Sequence, residues 1–214
     1  ACAPFRRLHL CNKNMENMDT NNNDSSKAKN DLLAEVCLAA NYEAQSLIRD
    51  HPKYKEIYSD SQICTELARS FADIGDIVRG RDLYRRDKGK RDKLEDKLKE
   101  VFGKIHSEVM KTSGRNRQTL QKRYKDDTPD FLKLREDWWT ANRETVWKAI
   151  TCKADASSAY FRTTCDSGDK KGPSQANKYC RCNDDQPGRD KPNTDPPTYF
   201  DYVPQFLRWF EEWA

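Results

Sequence analysis

The sequence predicts an all-α protein, a disulfide-stapled helical bundle with long cysteine-rich loops. Apolar residues recur every three or four positions in several long segments, which is the spacing of one helix face. Strand patterns do not stand out, and glycine is scarce at eight residues in 214. Charged residues make up 35% of the chain, yet five Trp, nine Tyr and eight Phe argue against disorder. We therefore expect a helical domain with an unusually polar surface.

The eight cysteines indicate an oxidising, extracellular-facing location. None lies in the C-x-x-C spacing of structural zinc sites, and Cys165, Cys180 and Cys182 have no histidine nearby. We therefore expect disulfides, with no metal and no cofactor. No segment approaches the ~20 consecutive apolar residues of a membrane span. With no initiating Met and no signal-peptide pattern, the chain is expected to be a piece of a larger protein.

The first 80 residues predict a polar loop and two helices. Residues 12–31 are rich in Asn, Asp, Ser and Lys and predict a mobile loop. From Ser26 an apolar face predicts a long helix that ends near His51-Pro52, because the residue before proline disfavours helical backbone. A second helix is predicted over about 60–79, and Gly80 can supply the left-handed residue that ends it. Its apolar stripe consists of Ile63, Leu67, Phe71, Ile74 and Val78.

Apolar spacing predicts three further helices in the middle of the chain. They cover about 92–112, about 116–125 and Pro129 to about Ile150. Residues 151–198 contain four cysteines among clustered Gly, Pro, Asp and Asn, so disulfides are expected to order this long loop. Helix resumes at about Tyr199.

Adjacent tryptophans in the fifth predicted helix cannot both point squarely into one core face. We expect Trp138 to pack with Phe131 and Leu134, and Trp139 to lie at a boundary between helices. Carbohydrate stacking on Trp138, Trp139 and Trp147 is the alternative, but large aromatics at helical spacing usually pack in cores.

Two basic segments are the candidate binding surface. Residues 79–93 carry eight basic and three acidic side chains, a net charge of +5, and residues 111–125 carry six basic and no acidic ones, a net charge of +6. Such clusters suit sulfate and carboxylate groups, and arginine can bind them with two parallel hydrogen bonds. The two segments flank the third helix and are expected to open onto a shared face for an acidic glycan. The candidate residues are Arg79, Arg81, Arg85, Arg86, Lys88, Lys90, Arg91, Lys93, Lys111, Arg115, Arg117, Lys122, Arg123 and Lys125.

Other interpretations of these segments stay open. The first segment contains Asp82, Asp87 and Asp92, so it is also typical of a solvated, internally paired surface. Nucleic-acid binding is disfavoured, because the sequence has no zinc finger or RNA-binding signature and its pI is about 8.5. Enzymatic activity is also disfavoured, because the three histidines stand in separate segments without a nucleophile motif.

Four sequence blocks carry a family resemblance. They are ACAPFRRLHLC at 1–11, LARSFADIGDIVRGRDLY at 67–84, LREDWWTANRETVWKAITC at 134–152 and DYVPQFLRWFEEWA at 201–214. In this order they resemble Duffy-binding-like domains of alpha type, from the erythrocyte membrane protein 1 family of the malaria parasite Plasmodium falciparum. The resemblance implies a helical, cysteine-rich fold of three subdomains. Residues 1–60, with the polar loop 12–31 and the first long helix, would end the first subdomain, and residues 61–214 would form an incomplete second one.

The same resemblance implies how the cysteines pair. Cys2 and Cys11 would bond partners upstream of this sequence. In a simple hairpin of the first two helices, Cys37 would lie ~20 Å and Cys64 ~6 Å from the turn, too far apart for a bridge. The family pattern implies instead that Cys64 bonds Cys180 or Cys182. We expect Cys37 to bond Cys152, and Cys165 to take the remaining cysteine.

The function implied by the resemblance is adhesion without enzymatic activity. Such a domain would lie on the outer face of the infected erythrocyte, as part of a larger transmembrane protein. Its partners would be a receptor on host erythrocytes or endothelium, with a sulfated glycan as one candidate, and antibodies, but not nucleic acid. The alternative is a structural or antigenic spacer that binds no receptor itself and positions neighbouring adhesion domains.

Overall fold

The computed structural model describes residues 2–20, 27–57, 62–84, 93–154, 163–165 and 174–213. Within these ranges the chain forms eight α-helices and one 3₁₀ turn, Phe200–Tyr202, and its only β pairing is two isolated bridges. The predicted all-α fold is confirmed. The helices are α1 Phe5–Leu8, α2 Lys13–Glu16, α3 Ala28–Ile57, α4 Ile63–Arg79, α5 Lys93–Lys111, α6 Arg117–Tyr124, α7 Leu132–Ile150 and α8 Gln205–Trp213.

Helix α4 forms the centre of the bundle, packed against α3, α7, α8 and the 3₁₀ turn. Its predicted apolar stripe is buried, but so is its opposite side, because α1, α8 and the 3₁₀ turn cover the polar residues. Gly75 allows the ring of Trp139 to pack directly on the backbone of α4, because a Cβ atom at this position would lie 2.7 Å from that ring. The predicted division of the chain at residue 60 stays a prediction, and α3 packs closely on α4 and α7.

Gly80 ends α4 as predicted. Its φ angle is 72°, in the left-handed region, and the N–H groups of Gly80 and Arg81 donate to the carbonyls of Ile77 and Asp76. This pair of bonds is the Schellman arrangement, which satisfies carbonyls left open at a helix end.

The prediction that the first long helix ends near His51-Pro52 is wrong. Helix α3 continues through Pro52 to Ile57. Proline removes one backbone donor, but most of residues 49–57 are exposed, so water can hydrogen bond to the carbonyl that loses its partner.

The predicted mobile loop over 12–31 is also wrong for most of its described residues. Helix α2 lies inside it, Met15 and Met18 are buried in the core, and α3 begins at Ala28. The two methionines anchor this polar stretch through packing, which its composition does not reveal. Residues 21–26 lie outside the described ranges.

Both tryptophans of the adjacent pair are buried, and Trp139 is the deeper one. Trp138 packs edge-on against Phe102 of α5, while Trp139 packs against Phe71 of α4. The expectation that Trp139 lies at a boundary is wrong, because α7 is covered on two sides and each side takes one ring. Trp147 is also buried, so none of the three presents a face to carbohydrate.

Two disulfides staple the bundle. Cys64 bonds Cys180, which ties α4 to the cysteine-rich loop, and Cys165 bonds Cys182 within that loop. The first agrees with the pairing implied by the resemblance, and the second agrees with the expectation that Cys165 takes the remaining cysteine. Described parts of the loop are also fixed by Arg181, which is buried and donates to Thr151, Asp185 and Asp190.

The expected bridge between Cys37 and Cys152 is not formed, and both thiols are free. The sulfur of Cys152 instead accepts a hydrogen bond of 2.8 Å from Asn41, one turn further along α3 than Cys37. One helical turn is about 5 Å, so the Cys152 sulfur lies beside the turn of α3 that follows Cys37. Burial raises the pKa of Cys37 to about 11. Cys2 and Cys11 are also free in this structure.

Candidate binding surface

Helix α6 positions the second basic segment by burying one side chain. Tyr124 is buried, and its hydroxyl donates a 2.5 Å hydrogen bond to Asp137 of α7. The carbonyl of the same residue lies 3.0 Å from His106 of α5, and Gln121 donates to the carbonyl of Met110. These contacts attach α6 to both neighbouring helices and turn its basic side outward.

The outward side carries exposed cations without compensating acids in the segment. The chain from Lys111 to Lys125 contains no Asp or Glu. One cation, Lys111, has a carboxylate oxygen of Glu108 at 3.9 Å. We call the exposed group the α6 surface; it consists of Lys111, Arg115, Arg117, Lys122 and Lys125.

Arg123 is the exception within this segment. Its Nε and Nη2 atoms each lie 2.6 Å from the carboxylate of Asp137. The hydrogen bonds from Arg123 lower the pKa of Asp137, so this carboxylate is charged and neutralises the arginine. Arg123 therefore holds α6 on α7 and contributes less positive charge outward than its neighbours.

The first basic segment contains one residue that does not belong to a surface. The side chain of Arg79 is only 1% exposed and donates to the backbone carbonyls of Gly75 and Asp201. It also pairs with Asp76 at 2.9 Å. Arg79 is thus part of the core, and a ligand cannot reach it in this fold.

The rest of the first segment is only partly described. The side chain of Arg81 is 61% exposed and forms an ion pair of 2.8 Å with Glu136. Lys93 is exposed at the start of α5. The other candidates, Arg85, Arg86, Lys88, Lys90 and Arg91, lie outside the described residues.

Each of the two basic segments forms an ion pair with α7. Arg81 contacts Glu136, and Arg123 contacts Asp137, the next residue. Successive residues of a helix project about 100° apart, so these contacts place both segments beside α7 on different sides of it. Two carboxylates stand between them, so the positive surface is strongest further out, at the α6 surface.

Sequence reasoning missed a buried ion-pair network beside α4. Asp73 accepts hydrogen bonds from Arg6 of α1 at 2.7 Å and from Arg208 of α8 at 2.8 Å. Burial alone would raise the pKa of Asp73, but the two arginines outweigh burial and lower it. Arg6 also donates to Glu212 at 2.8 and 3.1 Å. A sequence signal was available, since Asp73 and Asp76 lie opposite the apolar stripe of the second predicted helix.

Sequence reasoning also missed the tyrosines of the 3₁₀ turn. The chain before α8 exposes two rings, Tyr199 at 55% and Tyr202 at 46%. Both lie within 6 Å of the guanidinium carbon of Arg143, at 5.9 and 5.1 Å from their ring centres. Arg143 is itself buried and paired with Asp201 at 2.8 Å.

Across the described ranges, no three His, Cys, Asp or Glu side chains are grouped as they would be around a metal ion. In the same part of the chain no helix combines the length and apolar character that crossing a membrane requires.

Comparison with known proteins places the chain in a family. Residues 1–208 match the family described as Duffy binding domain. The sequence is 27% identical over 153 residues to the Duffy receptor beta form of Plasmodium knowlesi, covering 69% of this chain and 11% of that protein. The chain therefore belongs to the Duffy binding domain family, as the sequence blocks predicted.

Among solved structures, the chain is similar to domains of one group of Plasmodium falciparum surface proteins. The fold matches the NTS-DBL1(alpha-1) domain of the Plasmodium falciparum membrane protein 1, PfEMP1, from the varO strain, with a TM-score of 0.72 and 44% identity. That match covers 100% of this chain and 43% of the solved one. The ICAM-1-binding DBLbeta domain of a PfEMP1 variant matches with a TM-score of 0.64 and 31% identity, covering 99% of this chain and 42% of that one. The chain thus spans less than half of these relatives and is similar to PfEMP1 domains of the alpha type.

Proposed function

We propose that this chain is part of a non-enzymatic adhesion domain that binds host receptors through acidic glycans at the α6 surface. Its family mediates host receptor binding, and one PfEMP1 relative was solved bound to human ICAM-1. The proposed location is the outer face of the infected erythrocyte membrane, within a larger transmembrane protein. There it would serve in cytoadherence or rosetting and vary under pressure from antibodies.

The unpaired cations of the α6 surface carry this proposal. Among the described residues, Arg115, Arg117, Lys122 and Lys125 have no carboxylate within ion-pair distance. Exposed charges that lack an internal partner attract an anion without first breaking a bond. A sulfated glycosaminoglycan, which repeats sulfate and carboxylate groups along a chain, is complementary to such a row of cations.

Charge reversal tests the proposal on a heparin column. The variant R115E/R117E/K122E/K125E is expected to elute at much lower salt than the unchanged chain. The matched control is K29E/K53E/K55E/K153E, which alters net charge equally at exposed lysines elsewhere. If both variants lost retention equally, heparin would be responding to net charge alone and the α6 surface would have no special role.

A spacer function is the second candidate. It is favoured by the ion pairs that Arg81 and Arg123 form with Glu136 and Asp137 of α7. In that case the basic segments stabilise the bundle and neighbouring domains bind the receptor. An unchanged chain that binds neither heparin nor uninfected erythrocytes at physiological salt supports the spacer and contradicts adhesion by this domain.

A further inference from the structure

A groove runs along helix α5, between α2 and the chain that leads into α7. Its volume is about 680 Å³. Pro129 and Phe131 form its wall on the α7 side. The charged side chains that line it are three lysines and three carboxylates, namely Lys93, Lys97, Lys99, Glu16, Asp96 and Glu100. The lining thus carries charges of both signs that sum to zero.

Both walls of the groove are held in place by packing and hydrogen bonds. The ring of Phe131 packs on the ring of His106 of α5, with 5.3 Å between the ring centres. On the opposite side, the hydroxyl of Thr20 donates to Glu100 at 2.7 Å and accepts a hydrogen bond of 2.7 Å from Lys97. A groove whose walls are already ordered loses little conformational entropy when a ligand enters it.

The floor of the groove is a row of charges on one side of α5. Lys93, Asp96, Lys97 and Glu100 are spaced three or four residues apart or adjacent, so their side chains leave the helix within one stripe. Seven residues of helix measure about 10 Å, which is the length of about three residues of extended polypeptide. The row therefore matches a short segment of a chain rather than one isolated group.

We propose that this groove binds a short, extended segment of a partner protein that carries both acidic and basic side chains. Such a segment is complementary to a row in which lysines and carboxylates are mixed. Its backbone can also hydrogen bond to the charged side chains of the lining. The wall of Pro129 and Phe131 covers one apolar side chain of the segment.

Other classes of ligand fit the groove less well. Charges that sum to zero give no net attraction for a polyanion such as a sulfated glycan. A lipid chain or a small apolar molecule needs a lining that is mostly apolar, and this one has a single aromatic ring. The proposal is thus separate from the acidic glycan at the α6 surface and does not depend on it.

Selection of peptides displayed on phage tests the groove. Random linear peptides are selected on the full 214-residue chain and counter-selected on K93E/D96K, which reverses two floor charges and keeps the net charge. Peptides with both charge types should be enriched. By fluorescence anisotropy they should bind K93E/D96K about tenfold more weakly, because attractive ion pairs become repulsive. The matched control K29E/D31K, at two exposed residues of α3, should bind them as tightly as the unchanged chain does.

Interchanging the charges of the peptide separates recognition from a structural effect. A selected peptide is resynthesised with its acidic and basic residues exchanged. It should bind K93E/D96K and bind the unchanged chain weakly. A variant in which α5 was merely distorted would bind neither peptide. K93E alone serves if circular dichroism shows the double variant to be misfolded, since Lys93 is exposed.

Three results would overturn the proposal. The first is a selection that yields no peptide able to distinguish the unchanged chain from K93E/D96K. The second is an exchanged peptide that does not recover binding to this variant in its folded form. The third is a peptide that binds the 214-residue chain but not the parent protein, because the parent polypeptide then fills the groove. Heparin retention should be the same in K93E/D96K, which separates a failure here from a failure at the α6 surface.

Discussion

Two helical glycines predict opposite responses to the same substitution. Gly75 lies in α4 and Gly103 in α5. Alanine in place of glycine inside a helix gains about 1 kcal/mol in intrinsic helix propensity at either position. The surroundings decide the rest, so the pair isolates packing from propensity.

At Gly75 the new methyl group would lie 2.7 and 2.8 Å from two ring atoms of Trp139. This ring cannot easily move, because it packs on Phe71 and donates to Asp201. Overpacking of this kind costs about 1–3 kcal/mol, and a fixed ring should place it at the upper end. At Gly103 the nearest ring atom, on Phe131, would be 3.6 Å away, which is ordinary contact.

The net expectation is that G75A destabilises the chain by about 2 kcal/mol and that G103A stabilises it by about 0.5–1 kcal/mol. For a chain of this size these values correspond to melting temperatures lower by about 4–8 °C and higher by about 1–4 °C. Urea unfolding with intact disulfides gives the same comparison. A G75A variant as stable as the unchanged chain would refute the packing of Trp139 on α4.

Three further predictions concern the staples and the buried charges. Removing the Cys64–Cys180 bridge, which closes a loop of 116 residues, should lower the free energy of unfolding by about 4–5 kcal/mol. Removing the Cys165–Cys182 bridge, which closes a loop of 17 residues, should lower it by about 3 kcal/mol. Urea unfolding of the paired Ala variants measures both, and equal losses would contradict the dependence on loop length. Substituting D73N should cost about 3 kcal/mol or more at pH 7, because it leaves Arg6 and Arg208 buried without their shared carboxylate. The pKa of Asp73 is lowered in the folded state, so its contribution to stability is complete above the ordinary value of 3.8 and is lost as the pH falls below it. The difference in unfolding free energy between D73N and the unchanged chain should therefore shrink in acid. A difference that stays constant with pH would contradict the lowered pKa. At the surface, D137N should weaken the attachment of α6, because Arg123 and Tyr124 lose their shared carboxylate. Amide hydrogen exchange should become faster in residues 117–124 and change little in α4. Unchanged exchange in residues 117–124 would show that these bonds do not hold α6.

Local patterns predicted those parts of the fold that depend on local chemistry. Gly80 was identifiable as the end of α4 because the left-handed conformation favours glycine in any protein. The apolar stripe of α4 was likewise visible, since burial of one side leaves a periodic signature. Neither conclusion required knowledge of which elements lie next to the helix.

Features that depend on distant partners could not be predicted in the same way. Arg79 and Arg81 look equivalent in the sequence, yet Arg79 is buried because Glu136 and Asp201, 57 and 122 residues away, supply its partners. Trp139 is buried for a similar reason, since α7 is covered on both sides. The free Cys37 and Cys152 reflect the register between α3 and the end of α7, which spacing along one chain does not determine.

The candidate site shows the same division. The lack of acids between Lys111 and Lys125 correctly indicated an exposed basic face, but the compensation of Arg123 by Asp137 is a contact across helices. The exposed pair Tyr199 and Tyr202 lies at the start of the fourth sequence block and just before it, and no local pattern there distinguishes exposed from buried rings. Its exposure follows from Arg143 and Asp201 occupying the space beneath the turn.

Adhesion through the α6 surface is tested most directly on living host cells. The fluorescently labelled 214-residue chain is incubated with endothelial cells that display heparan sulfate, before and after heparinase treatment. The predicted result is binding that falls after heparinase and in R115E/R117E/K122E/K125E, but not in K29E/K53E/K55E/K153E. Binding that survives both heparinase and the four reversals would contradict the account.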